Sequence, residues 1–162
     1  MILVTLGTQD KIFPRLIEAV EKQIDLGNIK EEVIVQAGST KYETDKMKIL
    51  DYIPEEEFIK LVKDANYVIT HAGESNIRMG LRYNKKMIVA ARLKKYGEHV
   101  NDHQMQLLEF FAENGYIIPL NDFNKLDEAI KQIETFKPNE FKSNTNTFIK
   151  LLEEEIEKYI NL

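Results

Sequence analysis

The chain has 162 residues, 43% hydrophobic and 30% charged, the proportions of a globular domain large enough to bury its own core. A net charge of −5 gives no concentrated basic face for nucleic acid, and the absence of cysteine excludes disulfides, cysteine-based zinc sites and a thiol nucleophile. No stretch approaches the roughly 20 apolar residues needed to span a bilayer, and the opening MILVTLGTQD lacks the basic start and long apolar run of a signal peptide.

The first element is ILVTLG at 2–7, a short continuous apolar run broken by Gly7, which suits a buried parallel strand. In FPRLIEAVEKQID, residues Phe13, Leu16, Ile17, Val20 and Ile24 recur at helical spacing, Pro14 fits a first turn, and Gly27 and Asn28 stop the helix. EVIVQAG at 32–38 reads as a second strand and KILDYI at 48–53 as a third. Pro54 then opens a helix, PEEEFIKLVKDA, whose first-turn acids complement the helix dipole. YVIT at 67–70 is a strand, 75–83 a helix and KMIVAAR at 86–92 the next strand. The polar loop LKKYGEHVND leads to HQMQLLEFFAENG, an amphipathic helix closed by Gly115, and YIIPL is a last short strand. Charged helical segments are predicted near 122–136 and 146–160, the second with Leu151, Leu152, Ile156 and Ile160 on one side. Between them KPNEFKSNTNT is the nearest thing to a hinge, so the expected organisation is one domain over 1–162 with a helical C-terminal segment from about 139.

Strands alternating with helices predict an α/β fold, a doubly wound parallel sheet. Such sheets bind ligands at the carboxyl ends of their strands. The loops to weigh are therefore GTQDK, AGSTKYE, HAGESN and LKKYGEHVNDHQ, which hold all three histidines.

In HAGESN, a small residue and Gly73 would let a ligand approach the backbone, with the free N–H groups of the next helix pointing at an anion. The simpler account is that Gly73 makes the turn and Ser75 or Asn76 caps the helix. Glu74 suits the helix dipole but would repel a phosphate if turned inward. Gly7, Thr8 and Gln9 follow the first strand without forming a dinucleotide or P-loop fingerprint. His99 and His103 stand at i, i+4 spacing beside Glu98 and Asp102, but the helix should start near Asp102. Polar ligand contacts by Asp102, His103 and Gln104, or a capped helix start, are preferred over a metal site. No nucleophile–base order is legible.

Together VTLGTQ, VQAGST, THAGESNI and LRYNKKMIVAARLKKYGEHVNDHQ resemble the glycosyltransferase family 28 C-terminal domain. Within it they resemble the small separate catalytic subunits of bacterial capsule and exopolysaccharide transferases. Those are similar to the donor-binding subunit of the eukaryotic dolichol-linked N-acetylglucosamine transferase. The resemblance runs from about residue 1 to 120 and is most specific from Asn84 to Gln104.

It implies a Rossmann-like domain equivalent to the C-terminal half of a two-domain GT-B enzyme, the half that holds a UDP-sugar. The other half, with the lipid-linked acceptor, would come from a membrane-anchored partner subunit. That partner would recruit a cytoplasmic chain to the inner face of the membrane. By position, the resemblance places Gly7, Thr8 and Gln9 near the donor diphosphate and sugar. It places His71, Ala72, Gly73, Glu74, Ser75 and Asn76 at the nucleotide-facing loop and helix start, and Asp102, His103 and Gln104 at the donor sugar hydroxyls. It implies inverting displacement at the anomeric carbon without a cofactor or bound metal. Helix N–H groups and cations such as Arg92, Lys94 or Lys95 would steady the leaving diphosphate. His71 is the candidate for a catalytic role, more as a positioning group than as a base.

Three departures stand out. Ser75 and Asn76 replace the Gly-Ser of the common His-Ala-Gly-x-Gly-Ser pattern, Met79 stands where several relatives carry a ribose-holding glutamate, and Ala91 replaces a common proline. They leave open a non-catalytic nucleotide-sugar binding or regulatory subunit. A stand-alone α/β enzyme acting on a phosphorylated small molecule is a third reading.

Overall fold

The structure, a computed structural model, describes residues 1–141 and 152–158. Six parallel strands form one sheet: β1 (Ile2–Thr5), β2 (Val33–Gln36), β3 (Lys48–Leu50), β4 (Val68–His71), β5 (Met87–Ala90) and β6 (Ile118–Pro119). Their order across the sheet is β3-β2-β1-β4-β5-β6. The order reverses between β1 and β4, and the two exit loops diverge there to open a crevice.

The helices are α1 (Pro14–Asp25), α2 (Glu55–Asp64), α3 (Glu74–Arg82), α4 (His103–Glu113) and α5 (Leu126–Thr135). Strand alternation divides the core in two. Ile2, Val4 and Leu6 join Leu16, Ile17 and Val20 of α1 and Ile130 and Ile133 of α5 on one face. Leu3 joins Val62 of α2, Ile77 and Leu81 of α3 and Leu108 and Phe111 of α4 on the other. Truncating any one of the fully buried aliphatics to Ala should cost about 2–5 kcal/mol.

The predicted elements are present, with shifted ends. β1 stops at Thr5, and β3 is shorter and more exposed than 48–53 implied, as suits an edge strand. β4 runs one residue further than expected, so His71 is the last residue of a strand, paired in register with Ala90. The segment near 122–136 starts as a 3-10 turn, Phe123–Lys125, before α5. Of the last predicted helix, residues 152–158 are helical, with Leu152 buried and Ile156 packed on the second core. Leu151 and Ile160 lie outside the described residues.

Buried polarity gathers at one end of this sheet. Thr5, Gln36, Thr70 and His71 are buried at the last or next-to-last positions of β1, β2 and β4. The Thr5 hydroxyl donates to Gln36 Oε1 at 2.7 Å, and Gln36 Nε2 donates to the carbonyls of Gly7 and Asp51 at 3.0 and 3.2 Å. Asn76 Nδ2, from α3, donates to Thr5 Oγ1 at 3.1 Å. This chain of bonds spans the point where the strand order reverses and fixes α3 against β1. It also accounts for Asn76: its amide ties helix to strand.

Gly38, at the exit of β2, has φ +57°, and a Cβ there would stand 2.4 Å from the Gly7 carbonyl oxygen. We expect Gly38→Ala to destabilise the fold by roughly 2–5 kcal/mol, combining left-handed strain with backbone overlap. A urea unfolding midpoint unchanged from the wild type would contradict this reading of the turn.

Candidate functional site

The crevice at the strand-order reversal has a volume of about 600 Å³. One wall is Gly7, Thr8 and Gln9 from the loop after β1. A second is the start of α3, with Gly73, Glu74, Ser75 and Asn76. His71 stands at the back with Gln36, and Ile53, Glu55 and Phe58 close the side below β3. Arg78 and Met79 line it from one turn further along α3.

Gly73 is the N-cap of α3, in ordinary extended geometry, and no side chain among the described residues caps the helix. The expected cap by Ser75 or Asn76 is therefore absent: Ser75 is exposed in the crevice and Asn76 turns to Thr5. The first-turn N–H groups of a nine-residue helix are left facing the crevice, where they favour negative charge. Glu74 does not turn inward unpaired, because its carboxylate is drawn along the helix to Arg78 at 3.2 Å.

Gly7 and Gly73 have an unexpected reason to be glycine. A Cβ on Gly7 would stand 2.5 Å from His71 Nε2, and a Cβ on Gly73 2.2 Å from His71 Cε1. The room that these glycines leave is filled by the imidazole. Gly73 was expected to admit a ligand to the backbone; it first admits His71.

His71 is 5% exposed. Its Nδ1 lies 3.2 Å from Gln104 Nε2, while Nε2 has no hydrogen-bond partner among the described residues. The ring's basicity is pushed down to about 3, first by burial and then by the nearby positive charge of Arg92. At neutral pH it is uncharged, so it suits hydrogen-bond donation better than proton abstraction.

Other predicted site residues are placed elsewhere. Ala72 is fully buried under α3. Gln104 is 4% exposed and sits behind His71, its oxygen accepting from Arg92 N–H at 3.1 Å, so it does not reach the crevice. Arg92 is 1% exposed, and its guanidinium donates to the carbonyls of Leu6, Lys11 and Glu98. It holds the loops after β1 and β5 together and is screened from any crevice ligand. Asp102 accepts from the Lys94 N–H at 2.9 Å, stabilising a turn. His103 instead borders a smaller cavity of about 230 Å³ with Glu74, Phe110 and Leu152. Lys94 and Lys95 are exposed in a 3-10 turn and do not line the crevice.

The sequence reading missed Gln36, Ile53, Glu55, Phe58 and Arg78. Gln36 carried a signal, a polar residue ending the apolar run VIVQ, and Arg78 another, at i+4 from Glu74. Ile53, Glu55 and Phe58 follow β3 in DYIPEEEF, a stretch with no glycine or histidine to mark a ligand loop. Among the described residues, no group of three or more His, Asp or Glu side chains is arranged to hold a metal ion, and no helix is long and apolar enough to cross a membrane.

Residues 1–158 match the profile of the glycosyltransferase family 28 C-terminal domain. No curated protein matches the chain significantly. Among solved structures, the solution structure of ALG13 is 22% identical, with 93% of each chain covered and a TM-score of 0.57. The UDP-GlcNAc 2-epimerase of Methanocaldococcus jannaschii, solved with UDP-GlcNAc and UDP, is 17% identical, with 94% of this chain and 45% of that one covered, at a TM-score of 0.62. The glycosyltransferase of kitacinnamycin is 15% identical, with 96% and 37% covered, at 0.56. The chain thus spans nearly all of the first and under half of the other two. At these identities the likeness is one of fold, the α/β Rossmann-like fold of GT-B C-terminal domains.

The pH dependence follows from His71. The unfolded chain binds a proton near pH 6.5, whereas the native ring binds one only near 3. Between those values the unfolded state holds more protons, so stability falls as pH falls, by up to ~1.4 kcal/mol per unit. We expect His71→Asn to flatten this component of the profile in urea denaturations between pH 7 and 4; an undiminished slope would mean that the ring is not buried neutral.

Proposed function

The chain belongs to the glycosyltransferase family 28 C-terminal domain family, and from that premise we propose that it is the UDP-sugar-binding subunit of an inverting glycosyltransferase. The acceptor would be lipid-linked, the sugar a hexose or N-acetylhexosamine, and the product a capsular or exopolysaccharide precursor. The observation that carries this reading is the crevice itself. At the strand-order reversal, the N-terminus of α3 and the Nε2 of His71, neither with a side-chain partner among the described residues, meet in one anion-favouring corner.

In this reading the diphosphate lies against α3, receiving hydrogen bonds from its first-turn N–H groups, from His71 Nε2–H and from the Gly7–Thr8 turn. Arg78 takes the part that the family resemblance implied for Arg92, Lys94 or Lys95. The nucleoside extends toward Ile53, Phe58 and Met79, where no carboxylate stands at position 79 to hold the ribose. The acceptor hydroxyl attacks the anomeric carbon from the face opposite the diphosphate; the new C–O bond forms as the bond to the diphosphate breaks. The acceptor proton passes to a base on the partner subunit. These residues contribute positioning and charge stabilisation, with no metal invoked.

The partner would be a membrane-anchored, acceptor-binding subunit, bringing a cytoplasmic chain to the membrane. Two of the solved structures support a missing half, since more than half of each lies beyond the part that this chain matches. A second reading, nucleotide-sugar binding without transfer, draws on Ser75 and Met79 in the crevice.

Calorimetric titration with UDP tests the site: saturable binding is expected, and its absence with and without a partner would sink both readings. Arg78→Ala should weaken UDP roughly tenfold or more, the worth of a charge-assisted hydrogen bond, while Arg78→Lys keeps most of the affinity. UDP binding without product from the reconstituted pair would decide for the non-catalytic reading.

A further inference from the structure

Sequence patterning assigned Gln104 to the ligand, yet it is buried behind His71 with both ends of its amide engaged. The Arg92 backbone N–H can only donate, so the group facing it at 3.1 Å must be Gln104 Oε1. The Gln104 amide therefore presents its N–H₂ to His71 Nδ1 at 3.2 Å. An N–H₂ group has no lone pair to offer, so Nδ1 must accept, and the proton of the neutral ring must sit on Nε2. Nε2 is the nitrogen beside Gly7, and His71 lines the crevice there. Gly7 and Gly73 flank the ring on two sides, close enough that a Cβ on either would overlap it.

We propose that Gln104 is a positioning residue: anchored by the Arg92 N–H, it sets the His71 tautomer so that Nε2–H donates into the crevice, to a phosphoryl oxygen of the bound nucleoside diphosphate. The assignment of that ligand rests on the proposed function; the tautomer does not. With the proton on Nδ1 instead, Nε2 would aim a lone pair at the phosphate oxygens and repel them. Gln104 thus acts on affinity without touching the ligand.

The test has two independent readouts. In the wild-type protein, nitrogen-15 NMR of the His71 ring should show the Nε2–H tautomer at neutral pH; a ring protonated on Nδ1 would overturn the proposal. This measurement needs no variant to fold. Gln104→Glu replaces the N–H₂ by a second acceptor, which keeps the Arg92 contact but draws a proton to Nδ1. That variant should show the Nδ1–H tautomer or the imidazolium, a change that mere loss of packing would not produce. A variant in the Nδ1–H form should bind UDP about tenfold or more weakly, the worth of one hydrogen bond to a charged group. Affinity within twofold of wild type in that form would overturn the phosphate contact. If wild-type protein does not bind UDP at all, the proposed function fails while the ring spectrum still decides the role of Gln104.

Discussion

The site is organised around one steric fact: the imidazole of His71 occupies the space that side chains at positions 7 and 73 would need. That fact fixes two loop conformations at once, because the exit of β1 and the entry to α3 must both press backbone against the ring. Gly7 can also adopt the positive φ of 78° that its turn requires. Gly38, at the exit of β2, packs in turn against the Gly7 carbonyl, where a Cβ would overlap it, so a third strand exit is held close to the first. The phosphate-cradle and packed-turn accounts of HAGESN are therefore not rivals. The turn is packed around a histidine that itself lines the crevice, its Nε2 without a hydrogen-bond partner among the described residues.

A second layer lies under the same loops. Glu98 is 2% exposed, with its carboxylate held by Arg15 in a two-pronged ion pair at 2.8 and 2.9 Å and by the Leu93 N–H. The Arg15 guanidinium stacks over Phe123 at 3.9 Å and Tyr96 at 4.4 Å. Arg92 lies fully enclosed beside this pair, with one guanidinium nitrogen, Nε, lacking a partner among the described residues. Buried charge of this kind adds little net stability and much geometric definition, since any displacement strands a charge out of water. Its position near the crevice suggests why the chain retains it: the loops that it braces carry Gly7, Thr8 and Gln9.

Legibility in the sequence followed the range of the interactions. The apolar runs of β1, β2, β4 and β5 and the helical spacing of α1 and α4 are local signals, and they gave an α/β parallel fold with ends in error by a residue or three. Strand order is not local, yet the carboxyl-end rule located the crevice loops before the order was known. What sequence could not show was the direction of individual side chains. Arg92 in the loop after β5 and Gln104 in the first turn of α4 have the right chemistry for a ligand, but both are buried in the protein. Nothing in KMIVAARLKK distinguishes a buried arginine from an exposed one. Conversely, Arg78 stands at i+4 from Glu74 like many helix-surface cations, and only the course of α3 along the crevice brings it to the site.

The loop after β1 and the loop after β5 are separated by more than 80 residues in sequence, yet Arg92 ties them together and the Arg15–Glu98 pair ties the start of α1 to the second of them. Gln9 and His99 touch at the outer edge of the same loops. Loops that bind ligands commonly move independently and lose that freedom on binding. Here much of the ordering is done when the chain folds. A ligand or a second domain arriving at this rim meets a surface already set, so approach and departure would be governed more by the fit of two rigid bodies than by the closing of a lid.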